Sequence, residues 1–271
     1  MISKNYADER ASLLRELDGL RVEVDADKKV GYLILDRPPL NIISYRARFQ
    51  IRAIIEAMDD DDEVGVIVIR GANGTYTSGG DVKAFPSVRF DGMSDLAWNI
   101  GAPERASKPV IVGLEKYAFG VGFELAMACD FRIATKDTEL ALPEINLGEM
   151  PGSGGSARVV KIAGLTRAKD MVLRGRRVPA EEACAWGLVT EVVADGEALT
   201  RRIDALAAEL NGKAPLALRA LKRVLNTADD TGVHVAMDIE GHSYEKLRRT
   251  EDYKEGIDAF AERRKPVWKG K

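Results

Sequence analysis

Apolar positions along the chain change their period several times, and the changes divide it into elements. Residues 20–24 and 30–35 are short apolar or alternating runs, the pattern of strands, and the polar stretch 25–29 between them predicts a hairpin. Upstream, Leu13, Leu14, Leu17 and Leu20 recur at helical spacing in an otherwise polar segment and predict one N-terminal helix. Phe49, Ile51, Ile54, Ile55 and Met58 give helical spacing within 44–58, whereas 64–69 is a β-branched run of the kind found in strands buried on both faces. Residues 110–114 repeat that strand pattern, followed by a glycine-broken turn, an apolar helix over 124–129 and a strand over 131–134.

Strands separated by helices imply an α/β arrangement with right-handed crossovers, which gathers the strand-to-helix loops at one edge of the sheet. From Ser156 onward the pattern is mainly helical, over 157–162, 167–173, 180–185, 198–210, 216–225 and 233–247, with 188–193 as the only further strand. The expected division is an N-terminal extension over 1–20, a core over 21–200 and a helical C-terminal region over 201–271, without internal repeats.

Composition narrows the function classes. Of 271 residues 45% are hydrophobic, enough for one sizeable core. Forty basic against 43 acidic residues leave a net charge of −3, so no global field favours a nucleic-acid backbone or an anionic membrane, and an anionic ligand must be held locally. Charged residues from Lys4 to Asp18 interrupt any signal-peptide-like run, and no later run is long enough to span a bilayer. The two cysteines, Cys129 and Cys184, read as small buried thiols rather than a disulfide or metal ligands. A cytoplasmic protein is the expectation.

Three stretches carry candidate chemistry. In Tyr76-Thr77-Ser78-Gly79-Gly80-Asp81, paired glycines let the backbone approach a ligand, although an ordinary loop has the same pattern. Gly120-Val121-Gly122-Phe123-Glu124 turns from a strand into a helix, whose first N–H groups have no partner within the helix and are available to a developing negative charge. Glu124 either caps that helix start or, buried beside Leu125, Ala126 and Met127, is a carboxylate with a raised pKa. Glu144 is a lone charge in the apolar, proline-stiffened loop Leu142-Pro143-Glu144-Ile145, and is either a turn cap or a held functional group. Two carboxylates converging on one pocket can divide acid and base roles, since each disfavours ionisation of the other.

Ser78-Gly79-Gly80-Asp81, the segment 122–130, the segment 143–155, the segment 174–183 and the ending 259–266 occur in an order and spacing that resembles the crotonase (enoyl-CoA hydratase/isomerase) superfamily, from about residue 20 to the C-terminus. The resemblance implies an α/β fold, a crotonase-like spiral of ββα units with a helical C-terminal region that mediates trimerisation, assembled as a homotrimer or dimer of trimers. It implies an acyl-CoA substrate, no metal and no redox cofactor, with coenzyme A entering as part of the substrate. Carried over by motif, the backbone N–H groups of Gly80 and Val121 form the oxyanion hole and Glu124 and Glu144 are the catalytic acids. Ser78, Asp81, Lys265 and Lys269 are the implied coenzyme A contacts, Lys265 and Lys269 lying in a basic C-terminal cluster that otherwise reads as a solvated tail. Hydration of a 2-enoyl-CoA is the activity implied, with Glu144 exchanging the protons of the α-carbon and water and Glu124 co-orienting the water. Thioester hydrolysis or isomerisation on the same fold is the alternative.

Several residues depart from the family pattern. Val121 replaces the middle of three glycines and is expected to narrow the pocket at the second oxyanion donor, and Glu115 and Lys116 add charge just upstream. Glu149 reads as an exposed loop carboxylate, against the alternative of a third acid in the pocket. Gly152-Ser153-Gly154-Gly155 matches a loose dinucleotide fingerprint, but Gly148-Glu149-Met150-Pro151 before it reads as a turn where that fold needs a strand. His234 and His242 lie away from all three stretches and make no metal pair.

Overall fold

The computed structural model describes residues 11–87 and 94–271. Its first half runs β1 (Leu20–Asp25), β2 (Val30–Leu35), α1 (Tyr45–Asp60), β3 (Val66–Gly71), α2 (Ser94–Ile100), α3 (Ala102–Arg105), β4 (Val110–Leu114), β5 (Tyr117–Phe119) and α4 (Val121–Met127). There follow β6 (Phe131–Thr135), β7 (Glu139–Ala141), α5 (Gly155–Ala163), α6 (Leu165–Arg174), β8 (Val178–Pro179), α7 (Ala180–Ala185), β9 (Glu191–Val193), α8 (Gly196–Asn211), α9 (Pro215–Asp230), α10 (Val233–Leu247) and α11 (Glu251–Glu262).

β1 and β2 form the expected antiparallel hairpin, with Leu20 opposite Leu35 and Asp25 opposite Val30. The sheet then grows by parallel addition in the order β1-β2-β3-β4-β6-β9. Because side chains alternate along a strand, the continuous apolar runs feed two cores. Val66, Val68 and Ile111 pack with Leu199, Ile203 and Leu206 of α8 on one face. Ile67, Ile69, Val110 and Val112 belong to the larger cluster with Ile51, Ile54 and Ile55 of α1.

A second sheet, β5-β7-β8, lies outside the main one. Each parallel strand of the main sheet in this region is followed by a strand of the small sheet and then a helix, as in β4–β5–α4 and β6–β7–α5, which is the ββα spiral. This places the ends of β5 and β7 side by side, with the Gly120 amide donating to the Ala141 carbonyl at 3.0 Å.

Some expectations shift. Residues 1–10 lie outside the described residues; among the described residues of this segment helix covers 11–14, and Leu20 opens β1 while Leu14 and Leu17 pack against the core. Residues 188–190 form a bend, so that strand shortens to β9. β8 is a further strand, and α11 a further helix, that periodicity did not reveal. The boundary expected at residues 200 and 201 falls inside α8, because Leu199, Ile203 and Leu206 on that helix cover the main sheet. Among the described residues no helix is long and apolar enough to cross a membrane.

Candidate active site

The site forms where the loops after β3 and β5 are stitched together. Thr77 pairs with Ala118 in an isolated parallel bridge: the Thr77 amide donates to the Tyr117 carbonyl at 2.9 Å and the Phe119 amide to the Thr77 carbonyl at 3.3 Å. Tyr76, fully buried, donates its hydroxyl to the Gly122 carbonyl at 3.0 Å and so ties the start of α4 to the same loop. A Cβ on Gly122 would stand 2.1 Å from Thr77 Cγ2, so this contact requires glycine.

Two backbone donors emerge from this arrangement. Ile43 bridges to Gly80 in parallel fashion, its amide donating to the Gly79 carbonyl at 2.9 Å and its carbonyl accepting from the Asp81 amide at 3.3 Å. In such a bridge the residue between those two points its own N–H away from the partner, and the Gly80 N–H has no acceptor among the described residues. Val121 is the first residue of α4, where an N–H has no intrahelical partner. Its N–H also reaches no acceptor among the described residues, and both residues line one cavity of about 360 Å³.

The two glutamates line the same cavity in contrasting settings. Glu124 is 2% exposed. Its Oε1 accepts from the amide of Ser153 at 2.7 Å and from that of Gly155 at 2.8 Å. It therefore caps the start of α5, not of its own helix. Burial raises its pKa, while those two amides, Arg48 and Arg158 pull it back. Arg158 braces the same turn, donating to the Ser153 carbonyl at 3.1 Å and pairing with Glu104.

Glu144 opens a short 3-10 turn, Glu144–Leu147, and is half-buried. Its Oε2 is buried and reaches no donor among the described residues. Its Oε1 lies 2.9 Å from where a Cβ on Gly120 would stand, and Gly120 has a φ of 51°, so glycine is needed there on both counts. Burial, aided by the charges of Glu124 and Glu149, pushes the Glu144 carboxyl up to about 7. One carboxylate is held by amides and the other is poised to exchange a proton near neutrality.

The remaining expectations sort by position. Ser78 lines the cavity; Asp81, partly buried, does not. Lys265 and Lys269 are exposed on the C-terminal tail outside the cavity lining, with the Lys269 ammonium 3.2 Å from Glu251. Val121 lines the cavity yet is 3% exposed and packs in the main core, so its side chain is accommodated beside the cavity while its N–H stays free of any acceptor among the described residues. Glu149 is exposed and lines the cavity as well, so it acts on Glu144 from the rim. Glu115 and Lys116 sit at the β4–β5 turn outside the lining, Glu115 facing Gly196. Among the described residues there is no cluster of His, Cys, Asp and Glu that would hold a metal.

Arg48, Tyr45, Phe85 and Met150 line the cavity too, and sequence reasoning did not find them. Arg48 carried a signal, since it falls on the Ile51 and Ile55 stripe of α1, where a charge breaks the apolar face.

An α/β spiral with two free amides and two carboxylates in one cavity has the architecture of the crotonase superfamily. The chain belongs to the enoyl-CoA hydratase/isomerase family, whose model matches residues 25–271. It is 37% identical over 255 residues to a carnitinyl-CoA dehydratase of Shigella flexneri, covering 88% of this chain and 94% of the relative. An enoyl-CoA hydratase subunit I of Geobacillus kaustophilus HTA426 superposes with a TM-score of 0.88 at 34% identity, covering 94% of this chain and all of that one. An enoyl-CoA hydratase of Bacillus anthracis gives a TM-score of 0.88 at 29% identity, with 94% of this chain covered.

Proposed function

We propose that the protein is a hydratase of 2-enoyl-CoA thioesters, working in either direction between the enoyl and the 3-hydroxyacyl form. The observation that carries this reading is the pair of carboxylates in one cavity: Glu124 fixed by two amides, and Glu144 with a buried oxygen left without a partner. In this reading the Gly80 and Val121 N–H groups hold the thioester oxygen, which gains negative charge as the enolate forms; one such donor contributes roughly 3 kcal/mol to lowering the barrier. Glu124, with Oε1 engaged, offers its other oxygen to orient a water. Glu144 as carboxylate takes a proton from that water while the oxygen bonds to C3, and then returns the proton to C2. The carboxyl ends as it began, so the cycle balances without a further cofactor.

The relatives named as dehydratase and hydratases support this class of reaction. In this reading the exposed Lys265 and Lys269 reach the coenzyme A phosphates of a neighbouring subunit, Lys269 exchanging its surface contact with Glu251. Exposed Leu221, Leu225, Val233, Val235 and Phe260 on α9, α10 and α11 support self-association into a trimer or a dimer of trimers. The unpaired thiols, with Cys129 buried, support the cytoplasmic expectation.

The test follows crotonyl-CoA and other enoyl-CoAs with purified protein, reading loss of the conjugated-thioester absorbance and release of free thiol together. Absorbance loss without thiol, abolished by Glu144→Gln, is the expected result. Thiol release sensitive to the same substitution moves the assignment to thioester hydrolysis.

A further inference from the structure

Among the described residues Arg48 is the one strong cation lining the cavity, and neither the fold nor the two-glutamate mechanism accounts for it. It is 5% exposed, yet forms no ion pair with a carboxylate of the described residues. Its hydrogen bonding is thin: one Nη1 contact of 3.4 Å to Ser153 Oγ, with Nε buried and without an acceptor. The Tyr45 ring lies 4.7 Å from the guanidinium carbon, and Phe85 stacks edge-on against Tyr45 at 5.7 Å. Nη2 stands 3.1 Å from where a Cβ on Gly80 would be, so the guanidinium sits beside one of the two free amides.

Burying a guanidinium is costly unless its donors are met and its charge is balanced. Among the described residues the carboxylates that act on it, Glu124 and Glu144, lie beyond ion-pair reach, and burial lowers the Arg48 pKa despite them. Glu124 is already held by the Ser153 and Gly155 amides and does not require Arg48 for its hydrogen bonding. A planar fork of donors held rigidly between an aromatic wall and a backbone edge is suited to a carboxylate.

The geometry points to Arg48 as the specificity-determining residue of the cavity, taking a carboxylate on the acyl group, so that the substrate is the coenzyme A monothioester of a dicarboxylic acid. This rests on the reading that the cavity receives the acyl group of a coenzyme A thioester. It also sets the chain apart from its carnitinyl-CoA relatives, because the quaternary ammonium of a carnitinyl group would face a like charge.

The test measures binding of non-reacting thioesters, which does not depend on hydration chemistry. Dissociation constants of malonyl-CoA and succinyl-CoA are compared with that of butyryl-CoA on the unmodified protein, and then on Arg48→Met and Arg48→Lys. At least one carboxylated thioester is expected to bind about tenfold or more tightly than butyryl-CoA, the lower end of what a charge-assisted hydrogen bond contributes. Arg48→Met is expected to bring that ratio near unity and Arg48→Lys to restore part of it. Butyryl-CoA binding as well as both carboxylated thioesters on the unmodified protein overturns the subsite and leaves the coenzyme A reading standing, whatever the variants do. A preference that survives in folded Arg48→Met overturns it equally, and failure of all three thioesters to bind overturns both readings.

Discussion

The Gly155 amide donates to Glu124 Oε1 at 2.8 Å, so a carboxylate on one helix closes the start of another helix some thirty residues further along the chain. This single bond joins two turns of the spiral at the point where the cavity forms. It also explains why the glycine-rich turn before α5 is no phosphate cradle: two of its N–H groups are committed to a side chain of the protein itself.

Structural and chemical roles of Glu124 should separate by substitution. Glu124→Ala strips both amides of their acceptor and is expected to cost about 2 kcal/mol of stability, by analogy with losing a helix cap and a buried hydrogen bond. Glu124→Gln keeps a carbonyl oxygen for both amides and should unfold in urea close to the unmodified protein. Its kcat/KM should still fall about 100-fold or more, as when a group that positions or exchanges protons is neutralised. A fully active Glu124→Gln protein would remove this residue from the mechanism.

The proposed role of Glu144 predicts a pH-dependent reaction. In that mechanism hydration and dehydration both begin with its ionised form, so kcat/KM should fall as the pH drops through about 7, where burial has placed this carboxyl. The profile of Glu144→Asp should shift its acid limb, because the shorter side chain changes the burial of the carboxyl. A limb confined to the ordinary carboxylate range would mean that Glu144 is not the exchanging group.

The same displacement has a consequence for stability, with a definite sign. The folded chain holds the Glu144 proton up to about 7, above the ordinary value of 4.5, so the protonated form favours folding. That contribution is complete below about 4.5 and lost progressively as the pH rises through about 7. Glu144→Gln, which mimics the protonated form at every pH, should therefore melt higher than the unmodified protein at pH 8 and alongside it near pH 4.5. Equal melting temperatures at both would show that Glu144 is solvated.

What the sequence disclosed depended on how local the cause was. The strands over 30–35 and 110–114 were legible because β-branched runs feeding two cores leave a continuous apolar signature. β5, β7 and β8 were not, because strands of two or three residues are held by backbone pairing that carries no composition. The motif order singled out both glutamates and both amides, and the structure brings all four to one cavity, whereas the local residues around Glu124 left it open between a cap for its own helix and a buried carboxylate. In the structure it is buried and caps a different helix, a relation no local pattern encodes. Arg48 was written into the α1 stripe and passed over because a single charge on an apolar face has no period.

Thr77 and Gly122 make a tight fit in the site, and a paired substitution tests whether that fit holds the Val121 N–H proposed as an oxyanion donor. Alanine is a better helix former than glycine, so Gly122→Ala within α4 would stabilise the protein by up to about 1 kcal/mol if nothing stood in its way. Thr77 Cγ2 does stand in its way, 2.1 Å from the added Cβ. Overpacking of this kind costs about 1 to 3 kcal/mol, and the displacement would carry the neighbouring Val121 N–H with it. Gly122→Ala is therefore expected to lower both melting temperature and kcat. Thr77→Ser removes Cγ2 while keeping the hydroxyl that accepts from the Gly79 amide at 3.0 Å, so it should be mild alone and should rescue Gly122→Ala in combination. Losses that simply add in the double variant would show that α4 enters the site by some other constraint than this contact.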